Sequence, residues 1–287
     1  MKGLAEYVMR GRMQALLVAV FGAGTLLFSW VSAAVIALVT LRKGEAEGSY
    51  VMMWAILPAG VVLYFGEIGP FGMIIGSLVL AVILRRTGSW QATMVAASGV
   101  GVITGLLLLT VGANYLDQVA EIFGQLFTDF EERMAEGGSD ITIVSPGTLQ
   151  IAGILGLMNA FSSMMCVLLA RWWQAGLYNP GGFGEEFRAL RLAPQVTVVT
   201  LLSGVVLVSL GIEYRVWAVM TVLPLTMAGV ALVHHQVNKR DRGAQPLVFF
   251  YSLWLVFDLA KVAVVILAVV DSFRNLRGAS QAEKDSE

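Results

Sequence analysis

The run QATMVAASGVGVITGLLLLTV, Gln91–Val111, carries no charge and no proline along its whole length. A helix of about 20 apolar residues, rising 1.5 Å per residue, covers the roughly 30 Å hydrocarbon core of a bilayer. The run therefore reads as a transmembrane helix. Its surroundings repeat the signal: further apolar runs occupy Met13–Phe28, Trp30–Leu41, Tyr50–Phe65, Phe71–Leu84, Leu149–Ala170, Pro194–Leu210, Arg215–Val233 and Leu247–Val270. Composition agrees, because the 287 residues are 57% hydrophobic and 14% charged, with a mean hydropathy of +0.76, against roughly 25% charged residues in a soluble domain. A β-barrel would alternate apolar and polar residues over shorter strands. The expectation is an all-α polytopic transmembrane bundle of eight or nine segments, forming one helical domain over residues 1–273.

Positive charge orients such a bundle, since short cytoplasmic loops are enriched in Lys and Arg. Clusters stand at Lys2/Arg10/Arg12, Arg42/Lys43, Arg85/Arg86, Arg171/Arg188/Arg191 and Lys239/Arg240/Arg242. The connections at 67–70, 117–140 and 211–215 are poor in positive charge. Placing both the N-terminus and Arg42/Lys43 inside requires two crossings between them, so a short helical pair broken near FSWVS is favoured, with nine segments and the C-terminus outside. A single long first helix, giving eight, is the alternative. Lys2, Arg10 and Arg12 before an apolar stretch ending in Val31–Ala33 imitate a signal peptide, but apolarity runs on to Leu41, which suits a retained segment.

Residues 114–147 form the longest outside connection. In NYLDQVAEIFGQLFTDFEERM, Asn114–Met134, apolar residues recur at three and four while acidic residues fill the other face. That period predicts an amphipathic helix on the outer membrane surface, or a lid over a cavity. The stretch 136–147 breaks the chain before the next segment, and the polar tail 274–287 is expected to be disordered.

Chemistry-bearing residues are few. Asp258 and Lys261 lie three apart inside the last apolar run, on one helical face, where an isolated charge would cost about 2.5–3.5 kcal/mol. They read as an intramembrane solute, ion or proton site, as a buried structural pair, or as part of a helix set off-centre so that Lys261 snorkels to the interface. Asn159, with Ser162 and Ser163, either lines a cavity or bonds neighbouring helices. Ala15, Ala19 and Ala23 repeat at four, as do Ala97, Gly101 and Gly105, and such small faces let helices approach closely. His234 and His235 lack the companions of a metal site. Cys166, the one cysteine, has no partner for an intrachain disulfide. No phosphate loop, G-x-S-x-G elbow or HExxH appears, and no cofactor motif. The sequence reads as non-enzymatic, and a net charge of −1 gives no argument for nucleic acid.

The inside loop 171–193 sits in ARWWQAGLYNPGGFGEEFRALRL, Ala170–Leu192. Trp172, Trp173 and Tyr178 suit a membrane interface, and Arg171 suits phosphate headgroups. With Phe183 beyond the N-P-G-G turn, these residues make either an aromatic belt or a docking surface for a partner. Together with MRGRMQ (9–14), ILRRTGSW (83–90) and DSFRNLR (271–277), the loop resembles the YybS-like family of bacterial multi-span membrane proteins. That family is distantly similar to the substrate-binding S subunits of energy-coupling-factor transporters. The resemblance implies a bundle with an outward solute pocket, and a first-helix face at Ala15, Ala19 and Ala23 meeting a transmembrane coupling subunit. A solute-binding or transport component of the inner membrane is the leading expectation. A membrane scaffold for an envelope partner is the alternative.

Overall fold

The computed structural model describes residues 2–137, 144–240 and 243–277. Every regular element among them is helical: α1 (Lys2–Met9), α2 (Arg12–Ala23), α3 (Ser29–Lys43), α4 (Glu45–Tyr64), α5 (Gly69–Thr87), α6 (Trp90–Thr110), α7 (Ala113–Glu136), α8 (Thr148–Tyr178), α9 (Gly182–Ala189), α10 (Pro194–Ser209), α11 (Arg215–Lys239), α12 (Gln245–Val256) and α13 (Asp258–Arg274). Residues 138–143 of the expected break, and the expected tail beyond Arg277, lie outside the described residues.

Among the described residues, five helices are long and apolar enough to cross a membrane: α4, α5, α6, α8, and α11 with the 3-10 turn before it. Two bent pairs, α9 with α10 at 66° and α12 with α13 at 116°, raise this to seven. These lengths suit a multi-pass protein in a lipid bilayer. The expected eight or nine segments exceed that number at the N-terminal end, where neither α2 nor α3 reaches membrane length.

At the N-terminal end, Met13–Leu41 does divide into two helices, just ahead of FSWVS. With 12 residues, however, α2 is about 18 Å long, whereas the 20 residues of α4 make about 30 Å. The turn between α2 and α3 stops partway along the bundle. A Cβ on Gly24 would stand 3.5 Å from the Pro58 side chain, before the end of α4. The Trp30 carbonyl accepts from Cys166 Sγ at 3.5 Å, well inside α8. The pair enters and leaves at one end, so Arg12 and Arg42/Lys43 share that end without two full crossings.

Such a turn needs its backbone satisfied, because an unpaired peptide group away from water costs several kcal/mol. Thr25 Oγ1 donates to the Gly22 carbonyl at 3.1 Å, Ser29 Oγ to Leu26 at 2.9 Å and Trp30 Nε1 to Leu27 at 2.9 Å. Helix α3 then descends through the middle of the bundle, buried without interruption from Val31 to Leu41. An apolar surface on every side makes that burial possible.

Around it, α6 and α8 cross closely. A Cβ on Gly156 would come 2.5 Å from the Gly101 carbonyl, and one on Gly101 would come 2.8 Å from the Gly156 carbonyl. The Ala97, Gly101, Gly105 face is thus an internal packing seam. At the corner joining α5 to α6, Gly88 takes φ +62° and Ser89 Oγ accepts the Ala92 N–H at 3.2 Å. The T-G-S sequence thereby ends one helix and caps the next.

One end of the bundle gathers the cations. Arg12 pairs with Glu47, Arg86 with Glu45 and Arg171 with Glu186. Arg42 lies 3.9 Å over the Tyr178 ring, and Arg85 donates to the Leu41 carbonyl at 2.6 Å. Arg191 donates to the Asp271 carbonyl at 2.9 Å, while Arg277 reaches the Arg188 carbonyl. These last contacts hold the end of α13 at the cationic end. They correct the expectation that the last apolar run ends on the opposite side: it breaks at Phe257 and returns through α13.

Candidate functional site: a cavity above the α2–α3 turn

The opposite end opens into a cavity of about 280 Å³. Its floor is the α2–α3 turn, through Leu26 and Ser29; its walls come from Gly69–Met73 of α5, Thr104 of α6 and Leu155–Ser162 of α8; Glu67 and Tyr115 stand with them. Non-helical backbone at this depth is tolerated where it lines a cavity, which is the place the turn occupies.

Asn159 supplies the most specific group. Thr104 Oγ1 gives its proton to the Val100 carbonyl at 2.8 Å, so it receives the Asn159 Nδ2–H at 2.8 Å. Ser163 Oγ stands 3.4 Å from both Asn159 Oδ1 and the Met73 carbonyl, and its single proton serves one of them. One amide N–H and at least one carbonyl lone pair therefore remain for a solute. Gly72 leaves the room, since a Cβ there would lie 3.2 Å from the amide. Burial pushes the Tyr115 phenol above its ordinary range, and the Glu67 carboxylate adds to the shift. The hydroxyl is therefore a neutral donor at physiological pH. Amide, hydroxyls and one carboxylate make a site that can hydrogen-bond a small polar molecule. Its volume sits at the lower edge of the roughly 300–1,000 Å³ typical of ligand pockets.

Asp258 and Lys261 do not join it. They pair at 2.7 Å, but their side chains are 94% and 45% exposed, at the start of α13 beyond the break. Asn159 lines the cavity, while Asp258 and Lys261 stand together on the surface beyond the break. Ala15, Ala19 and Ala23 are buried where α2 packs on α3 and α4. The stripe expected to meet a coupling subunit is thus used in packing within the chain.

The aromatic elbow is largely an internal joint. Trp173 is buried, and Arg171 Nε holds Glu186 at 2.8 Å. Trp90 Nε1 donates to the same carboxylate at 3.4 Å, and Phe183 packs edge-on to Trp90 and stacks on Phe187. Trp172 and Tyr178 stay exposed. Helix α7 is amphipathic as expected, with Leu116 alone buried and Ile122, Leu126 and Phe130 uncovered. Beyond its first turns it lies free of the bundle, in the manner of a surface helix more than a closed lid.

Sequence reasoning reached Asn159 and Ser162 but missed Ser29, Thr104, Tyr115 and Glu67. A threonine in GVITG and a serine beside an expected break are polar signals inside apolar runs, yet nothing in their spacing ties them to Asn159. No family model, curated protein or solved structure matches the chain.

Proposed function

We propose that this chain is a solute-binding or transport component of a bacterial inner membrane, holding a small polar molecule in the Asn159 cavity. The observation that carries the reading is the oriented Asn159 amide, half-buried in a cavity that opens at the end away from the cations. Positive charge favours the cytoplasm, so the cationic end faces inward and the cavity outward. A broken, partly inserted hairpin as the cavity floor has its counterpart in transporters, whose sites lie beside interrupted helices near the bilayer centre. The likeness to YybS-like proteins and to S subunits belongs to the same proposal. The buried alanine stripe leaves any coupling partner to meet a different face.

Mass spectrometry of small molecules retained by the detergent-purified protein tests this. A polar solute is expected in near-stoichiometric amount, and Asn159→Leu should reduce it roughly tenfold, a loss of about 1.4 kcal/mol, while the unfolding midpoint holds. Absence of a solute, or equal retention by the variant, would overturn the reading. The scaffold alternative draws on the exposed Trp172 and Tyr178 at the cationic end; a protein partner captured by the wild type and lost with Trp172→Ala, in the absence of any solute, would select it.

A further inference from the structure

A second cavity, of about 460 Å³, lies at the other end of the molecule between α11, α12 and α13. Its existence follows from the break at Phe257. Because α12 bends away by 116°, it buries none of its own residues and leaves a crevice against α11 and α13. The walls are Leu232 and Val233 of α11, Pro246 of α12 and Leu267 of α13; Gln236 and Arg240 add the polar groups. Arg240 is exposed and has no ion-pair partner among the described residues, unlike Arg12, Arg86, Arg171 and Arg277. Lys239 precedes it.

An apolar slot ending in an exposed guanidinium matches an amphiphile with an acyl chain and an anionic head. We propose that the crevice holds one anionic phospholipid, its chain along Leu232 and Leu267 and its phosphate on Arg240. Arg presents paired N–H donors that fit two phosphate oxygens, and the Gln236 amide adds a third donor. Location supports the choice of lipid. The crevice lies at the cationic end, where basic pockets between membrane helices meet the leaflet rich in anionic headgroups. The chain also explains how α12, apolar and otherwise uncovered, is accommodated beside the bundle: the lipid fills the gap that α12 leaves.

Native mass spectrometry of the full chain released from phosphatidylcholine nanodiscs doped with phosphatidylglycerol reads the occupancy directly. One phosphatidylglycerol should be retained per chain in preference to phosphatidylcholine. Arg240→Gln should lower its retention roughly fivefold, the factor set by one cation beside an anionic surface. Leu267→Trp, which fills the slot and leaves the cation, should lower retention of both lipids. Glycerol phosphate, the head without the chain, should fail to displace the lipid. Equal retention of the two lipids, no response to either variant, or full displacement by glycerol phosphate would overturn the proposal. Unfolding midpoints in phosphatidylcholine alone check that both variants are folded.

Discussion

Two carboxylates from the last apolar run and its end show how burial sorts residues of one type. Asp258 drew attention in the sequence because it interrupts FFYSLWLVF, yet its side chain is 94% exposed. Asp271 is 2% exposed, accepts the Leu276 N–H and Arg277 Nε at 3.0 Å each, and sits against an Arg277 side chain that is 10% exposed. Burial raises the cost of removing one partner, since the other charge is left uncompensated. Asp271→Asn should destabilise the protein by about 3–5 kcal/mol, and Asp271→Leu with Arg277→Met should recover most of the loss. Denaturant unfolding in detergent checks both values. Within the cavity, Thr104→Val removes the acceptor of the Asn159 amide without touching Asn159 itself. Solute retention should fall with little change in stability, because the amide loses its fixed orientation; a stability loss with retention intact would assign Thr104 to packing alone.

Among the helices, the α6–α8 crossing depends on two glycines with carbonyls facing each other. Gly156→Ala places a methyl 2.5 Å from the Gly101 carbonyl, an overpacking that should cost about 1–3 kcal/mol. Gly99→Ala, on the same α6 but with open space around it, should be neutral or slightly stabilising. Comparing their unfolding midpoints separates helix propensity from packing. The long helices α4, α5, α6, α8 and α11 were legible because each is an apolar run of membrane length bounded by charge or a Gly-Ser corner. The α2–α3 pair was legible as a break but not as a partial insertion. Its depth is set by contacts with Pro58 and Cys166, remote in sequence, and by side chains of Thr25, Ser29 and Trp30 that pay the backbone's hydrogen-bonding cost. The break at Phe257 carries no glycine or proline at the site, so the run looked continuous. Asn159 was legible as a polar residue in a span; its neighbours Thr104, Ser29 and Tyr115 come from three other elements and meet only in the folded bundle.

Across the whole molecule, the organising feature is polarity along the bundle axis. Arg12, Arg42, Arg85, Arg86, Arg171, Arg188, Arg191 and Arg277 meet at one end through ion pairs, carbonyl contacts and the Arg42–Tyr178 ring contact, while Glu67 and the acidic face of α7 mark the other. The partial hairpin α2–α3 and the returning α12–α13 pair both begin and end at the cationic end, so the α2–α3 turn can form the floor of the cavity at the far end. Labelling of single cysteines in intact cells with a membrane-impermeant maleimide, on a Cys166→Ala background, tests this arrangement most directly. A cysteine replacing Ser162 in the cavity should react, and one replacing Ser89 at the α5–α6 corner should react only after the membrane is opened. Reaction at position 89 in intact cells, with position 162 protected, would contradict the account.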